Sequence, residues 1–139
     1  MKYCIFLGLI SVVLSGCYPV YKTIRLPFDA HIVDENGKRV EGADVLLITE
    51  QHPAKVPLRF VLIQTDAEGI AIFKSVKEWK MENLIIHGIQ NYSWSMCVSK
   101  AGYGTVDNIA LSDFPSQKIN VVLKKTEYVS EDCSSWVKE

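Results

Sequence analysis

From Phe28 onward, turn signals recur at short intervals and β-branched or aromatic residues fill the gaps between them. Such spacing points to many short strands. Phe28-Asp29-Ala30-His31-Ile32-Val33 alternates apolar and polar, the period of a half-buried strand. Asp34-Glu35-Asn36-Gly37 then supplies a tight turn, because Asn and Gly tolerate positive φ. Val40-Glu41-Gly42-Ala43 leads into a strand over 44–49, and 51–57, with two prolines, reads as a loop. A strand over 58–64 precedes a second polar turn, Thr65 to Gly69, and Ile70 to Phe73 follows with Ile70 and Ile72 on one face. Further strands are expected over 92–99, 106–111 and 118–124, where Ile119, Val121 and Leu123 alternate cleanly. The fold class expected is all-β, a seven- to eight-stranded antiparallel β-sandwich.

One stretch breaks the pattern. Lys77-Glu78-Trp79-Lys80-Met81-Glu82-Asn83-Leu84 is rich in helix formers and predicts a short helical insertion near 76–84. Leu84-Ile85-Ile86 offers an extra strand after it. The aromatics Trp79, Tyr92 and Trp94 gather around this insertion. They form either a partner-binding surface or a cover over one open sheet end. The cover is the simpler reading, since Trp side chains often close sandwiches and need only a partner for their N–H.

The amino terminus carries an address. Lys2 gives a positive start, and Ile5 to Leu14 is an apolar run of signal-peptide length, too short to span a bilayer. Leu14-Ser15-Gly16-Cys17 closes it, with small residues directly before the cysteine. This arrangement resembles the bacterial lipoprotein signal, in which the cysteine thiol is diacylglycerated, the leader is cleaved and the new amino terminus is acylated. The resemblance implies that residues 1–16 are removed and Cys17 is the lipidation site. Several acyl chains anchor stably where one gives only marginal binding. Tyr18, rather than aspartate, follows the cysteine. That implies passage to the outer membrane, facing the periplasm, with the cell surface as an alternative. Residues 17–27 are then expected to be a short lipid-anchored tether.

The lipid reading also sorts the cysteines. Cys4 leaves with the leader and Cys17 carries lipid, so Cys97 and Cys133 remain. An oxidising compartment favours joining them in one disulfide, which closes a loop of about 36 residues. Two separate thiols or a metal site are the alternatives. The metal is disfavoured by the wide spacing and the lack of neighbouring ligands. Without residues 1–16 the chain keeps 14 Lys+Arg against 16 Asp+Glu, a net charge of −2. That interspersed balance argues against nucleic acid, which calls for a basic patch. About 123 residues fit one sandwich domain, 28–125, followed by a polar tail, 126–139, stapled back through Cys133.

Three segments carry a second resemblance. Val33-Asp34-Glu35-Asn36-Gly37-Lys38-Arg39-Val40-Glu41-Gly42-Ala43-Asp44-Val45, Thr65-Asp66-Ala67-Glu68-Gly69-Ile70-Ala71-Ile72-Phe73 and Val98-Ser99-Lys100-Ala101-Gly102-Tyr103 stand in that order. Together they resemble a carboxypeptidase-regulatory-like domain, a transthyretin-like (prealbumin-like) sandwich. Gly37, Gly42, Gly69 and Gly102 are then expected where turns need positive φ or close approach. Val40, Ala43, Val45, Phe73 and Tyr103 are expected between the sheets.

Chemistry is sparse. His31, His52 and His87 lack the H-E-x-x-H spacing of a zinc hydrolase, and Ser134-Ser135 lacks a nucleophile elbow. No phosphate-binding glycine loop occurs. Asp34, Glu35, Asp66 and Glu68 lie in turns, where calcium binding is conceivable but turn chemistry is the plainer account. The hydroxyisourate hydrolase branch of transthyretin-like folds ends in Y-R-G-S. This chain ends in Ser135-Trp136-Val137-Lys138-Glu139, so that resemblance fails. No catalytic residue, metal or cofactor is expected. The expectation is a non-enzymatic outer-membrane lipoprotein, a binding or structural module with a periplasmic or envelope protein partner. A type VI secretion-like lipoprotein of transthyretin fold and a periplasmic inhibitor or immunity lipoprotein are the alternatives.

Overall fold

Residues 45–48 are apolar in both phases of a strand, so this segment can be buried on two faces and becomes the centre of a sheet. The computed structural model describes residues 17–52, 56–83, 91–111, 118–127 and 132–133. Among them run nine strands: β1 (Cys17–Arg25), β2 (Phe28–Asp34), β3 (Asp44–His52), β4 (Val56–Gln64), β5 (Ile70–Phe73), β6 (Val76–Asn83), β7 (Asn91–Ser99), β8 (Val106–Ala110) and β9 (Lys118–Leu123). They form a four-stranded sheet ordered β4-β3-β7-β8, a three-stranded sheet ordered β5-β2-β9, and a two-stranded ribbon of β1 and β6. The fold is an all-β sandwich.

The core lies between the two larger sheets. From β3, Val45 and Leu47 face inward; β7 adds Met96 and Val98; the opposing sheet adds Phe28, Ala30, Ile32, Ala71, Phe73, Val121 and Leu123. Phe28 and Phe73 are cross-strand partners whose rings stack at 4.6 Å. Val40, Ala43, Val45 and Phe73 are buried as expected, and Tyr103 packs against them. Every pairing is antiparallel except one. β9 runs parallel to β2, with Ile32 opposite Val121, and so departs from the expected all-antiparallel arrangement. Pro57 has no N–H to give a ladder; it sits on edge strand β4, where the register slips opposite Thr49 and Glu50.

The three glycine-rich segments meet at one end of the sandwich. Thr65 Oγ1 accepts from the Ala43 amide at 2.8 Å and donates to the Val40 carbonyl at 2.7 Å. Lys100 Nζ donates to the Gly42 carbonyl at 3.0 Å. Gly37, Gly42, Gly69 and Gly102 all have positive φ. Gly69 is the most constrained, because a Cβ there would stand 2.6 Å from the Ile32 carbonyl oxygen.

Two sequence expectations need correction at the opposite end. Residues 76–83 are strand β6, with no helix. Residues 17–25, expected as a tether, are strand β1, paired antiparallel with β6 from Cys17↔Asn83 to Arg25↔Val76. The ribbon prolongs the β2–β5 pair past a break at Leu26-Pro27 and Lys74-Ser75. Arg25 Nε donates to the Lys74 carbonyl at 2.8 Å, and Ser75 Oγ donates to the Arg25 carbonyl at 3.2 Å, which ties the break together. The Leu84-Ile85-Ile86 strand and residues 1–16 lie outside the described residues.

Candidate functional site

The ribbon is a strand pair with two different faces. Register and alternation put Tyr18, Val20, Lys22 and Ile24 on one face with Glu78, Lys80 and Glu82. This face turns to the sandwich, over the inner side of the far end of the four-stranded sheet. Ile24 is buried, and its carbonyl accepts the Trp94 indole N–H at 2.9 Å. Arg59 of β4 reaches Glu78 of β6 at 2.7 Å, and Lys80 joins the same carboxylate at 3.1 Å. Hydrogen bonding from Arg59, then from Lys80, holds the Glu78 carboxyl below its ordinary range. Further out, Lys22 pairs with buried Glu82, which also accepts from Tyr18 Oη at 3.4 Å.

The other face carries Cys17, Pro19, Tyr21 and Thr23, the last three opposite Met81, Trp79 and Lys77. Tyr21 and Trp79 touch with ring centroids 5.2 Å apart. Cys17 is half-buried, begins β1, and has no disulfide partner. The three aromatics expected around the insertion are therefore divided. Trp79 points away from the sandwich, whereas Trp94 and Tyr92 lie on the inner face of β7 under the ribbon. Trp94 has the N–H partner that a cover requires. Sequence reasoning missed Tyr21 and Met81 as neighbours of Trp79. Only the β1–β6 register brings them together, and no local pattern announces that register.

Cys97 and Cys133 are joined by a disulfide with a Cα–Cα distance of 5.8 Å. It lies on the outer face of the four-stranded sheet, against Leu46 and Ile48. Ser99 Oγ donates to Asp132 Oδ1 at 3.0 Å and accepts from the Cys133 amide at 3.3 Å, two hydrogen bonds beside the disulfide.

The turn carboxylates serve the backbone. Asp34 Oδ1 accepts the amides of Asn36 and Lys38, both at 2.9 Å. Asp66 Oδ1 accepts those of Glu68 and Ile70 at 3.0 and 2.9 Å. The hydrogen bond from Lys38 leads in holding Asp34 below the ordinary carboxylate range. His52 Nε2 pairs with Ser93 Oγ at 2.7 Å, and His31 sits apart on β2. Among the described residues, no three such side chains converge to hold a metal ion, and no helix is long and apolar enough to cross a membrane. Compared with known proteins, the chain matches no family model, no curated protein and no solved structure.

Proposed function

We propose that this chain is an envelope lipoprotein, acylated at Cys17 and anchored in the outer membrane, whose sandwich is a non-enzymatic binding or structural module facing the periplasm. The observation that carries the reading is the chemistry around Cys17. It follows Leu14-Ser15-Gly16 directly and has no disulfide partner, while Cys97 and Cys133 hold each other. Cys17 also opens β1, so an acyl group there attaches to a strand end rather than to the middle of the fold.

The rest of the molecule fits a module held by one end. The ribbon lies at the Cys17 end of the sandwich, and the turns at Asp34–Lys38, Gly42 and Asp66–Gly69 lie at the other, where loops are free to meet a protein partner. The interlocking of the three glycine-rich segments supports a transthyretin-like sandwich of the carboxypeptidase-regulatory-like type. Edge strand β4, with exposed Phe60 and Leu62, offers a second docking surface through strand addition.

The test is metabolic labelling with palmitate. The wild-type chain is expected to take up label and to float with membranes, and Cys17→Ala to lose the label and accumulate uncleaved. A Cys17→Ala chain that is processed and membrane-bound as before would sink the proposal.

A further inference from the structure

We propose that the outer face of the β1–β6 ribbon rests on the bilayer into which the Cys17 lipid inserts, with Tyr21 and Trp79 at headgroup depth. The inference rests on the acylation of Cys17 proposed above, and adds to it an orientation and a lipid-contact surface.

Tyr21, Trp79 and Met81 are 56%, 69% and 63% exposed, and Pro19 beside them is exposed too. Four such side chains on one small face form the kind of apolar patch that marks a contact with membrane or protein. The cross-strand register then selects the membrane. Cys17, Pro19 and Tyr21 are two residues apart in the same strand, so the acylated sulfur and the exposed patch project from the same face. At about 3.3 Å per residue, Tyr21 stands roughly 13 Å from Cys17. A lipid on that sulfur brings this face to the bilayer before any other part of the molecule.

Polarity along the face follows the same direction. From the acylated end outward come Pro19 with Met81, then Tyr21 with Trp79, then Thr23 with Lys77. Apolar side chains thus lie nearest the acyl chains. The two aromatics of the kind enriched at membrane interfaces come next, and a cation able to reach lipid phosphates comes last. Charge agrees. Among the described residues the face carries Lys77 and no acidic side chain, whereas Glu78 and Glu82 are turned to the opposite face and matched by Arg59, Lys80 and Lys22. A two-stranded ribbon also has open edges, which hydrocarbon does not tolerate. The backbone therefore stays in the hydrated headgroup layer, and only the side chains of one face dip below it.

The experiment uses the full lipidated protein in vesicles of phosphatidylethanolamine and phosphatidylglycerol, with or without bromine on the acyl chains. Tryptophan fluorescence is expected to be quenched by the brominated lipid, and Trp79→Phe to remove at least half of that quenching. Trp79 is exposed, so the substitution leaves the core untouched; flotation and mass spectrometry of Cys17 are read on the same sample. Equal quenching in both proteins, with Cys17 acylated and the protein floating, overturns the inference and leaves the lipoprotein reading standing. So does shielding of Trp79 from aqueous acrylamide without lipid quenching, which would assign the face to a second copy or a protein partner. A chain that carries no acyl group and fails to float overturns both.

Discussion

At the scale of single residues, the fold relies on one five-residue device used twice. In Asp34–Lys38 and Asp66–Ile70 the aspartate carboxylate accepts amides two and four residues on, its carbonyl accepts the glycine amide, and its own amide donates to the fifth carbonyl. The second loop is also tied to strand β2, since the Ile32 amide donates to the Gly69 carbonyl at 2.8 Å. Gly69→Ala forces a Cβ onto the Ile32 carbonyl at a positive φ, and is expected to cost about 2–3 kcal/mol. Gly37→Ala meets nothing within 4 Å and is expected to cost only about 1 kcal/mol of backbone strain. Urea midpoints at constant m separate the two. Asp34 adds a pH dependence. Its folded pKa lies below the ordinary 3.8, so its stabilising effect is complete well above that value and is lost as pH falls through the depressed one. Asp34→Asn is expected to lower the urea midpoint at neutral pH and to flatten its decline between about pH 5 and pH 3.

Among the elements, legibility divides between strands that carry their own pattern and strands that exist only as partners. β2 and β9 alternate along their own sequences, and β3 is apolar on both faces. These were readable because burial in the sandwich requires that patterning. β6 holds two Lys, two Glu and one Met because one face is salt-bridged and the other exposed, and that composition also suits a helix. β1 contains a proline and reads as a linker. Each of these two is a strand because the other is there, and a pairing across more than fifty residues leaves no local trace. The Tyr21–Trp79 face was illegible for the same reason, since only that pairing brings its members together. An isolated two-stranded ribbon is marginal in water, so its docking contacts must hold it. Trp94→Phe removes the indole donor to the Ile24 carbonyl and is expected to cost about 1–2 kcal/mol. Amide exchange should quicken in β1 and β6 while β3 keeps its protection; uniform loss would place the cost in the core instead.

For the whole molecule, the four-stranded sheet is the layer that decides the architecture, because it is apolar on both sides. Its inner face meets the three-stranded sheet and the ribbon. Its outer face presents Leu46 and Ile48, both buried, beside exposed Phe60 and Leu62 of edge strand β4. The first two pack in one buried cluster with Cys97 and Cys133, so the disulfide is a clamp on the outer face rather than a brace inside the core between the sheets. Cross-linking across 36 residues is worth about 3–4 kcal/mol in the chain-entropy model. Replacing both cysteines together, Cys97→Ala with Cys133→Ala, is expected to lower the unfolding free energy by about that amount without leaving a thiol to mispair. Stability alone does not separate a clamp from a brace, but the surface does. If the C-terminal segment is held chiefly by sulfur, the double variant joins Leu46 and Ile48 to Phe60 and Leu62 in one open patch and binds a hydrophobic dye while the sandwich remains folded. If the Ser99–Asp132 and Ser99–Cys133 contacts suffice, dye binding stays at the wild-type level and only the unfolding midpoint moves. The first outcome is expected, because these two hydrogen bonds, one part-buried and one buried and worth about 1 kcal/mol each, do not offset the ordering of the chain that carries them at roughly 1–2 kcal/mol per residue.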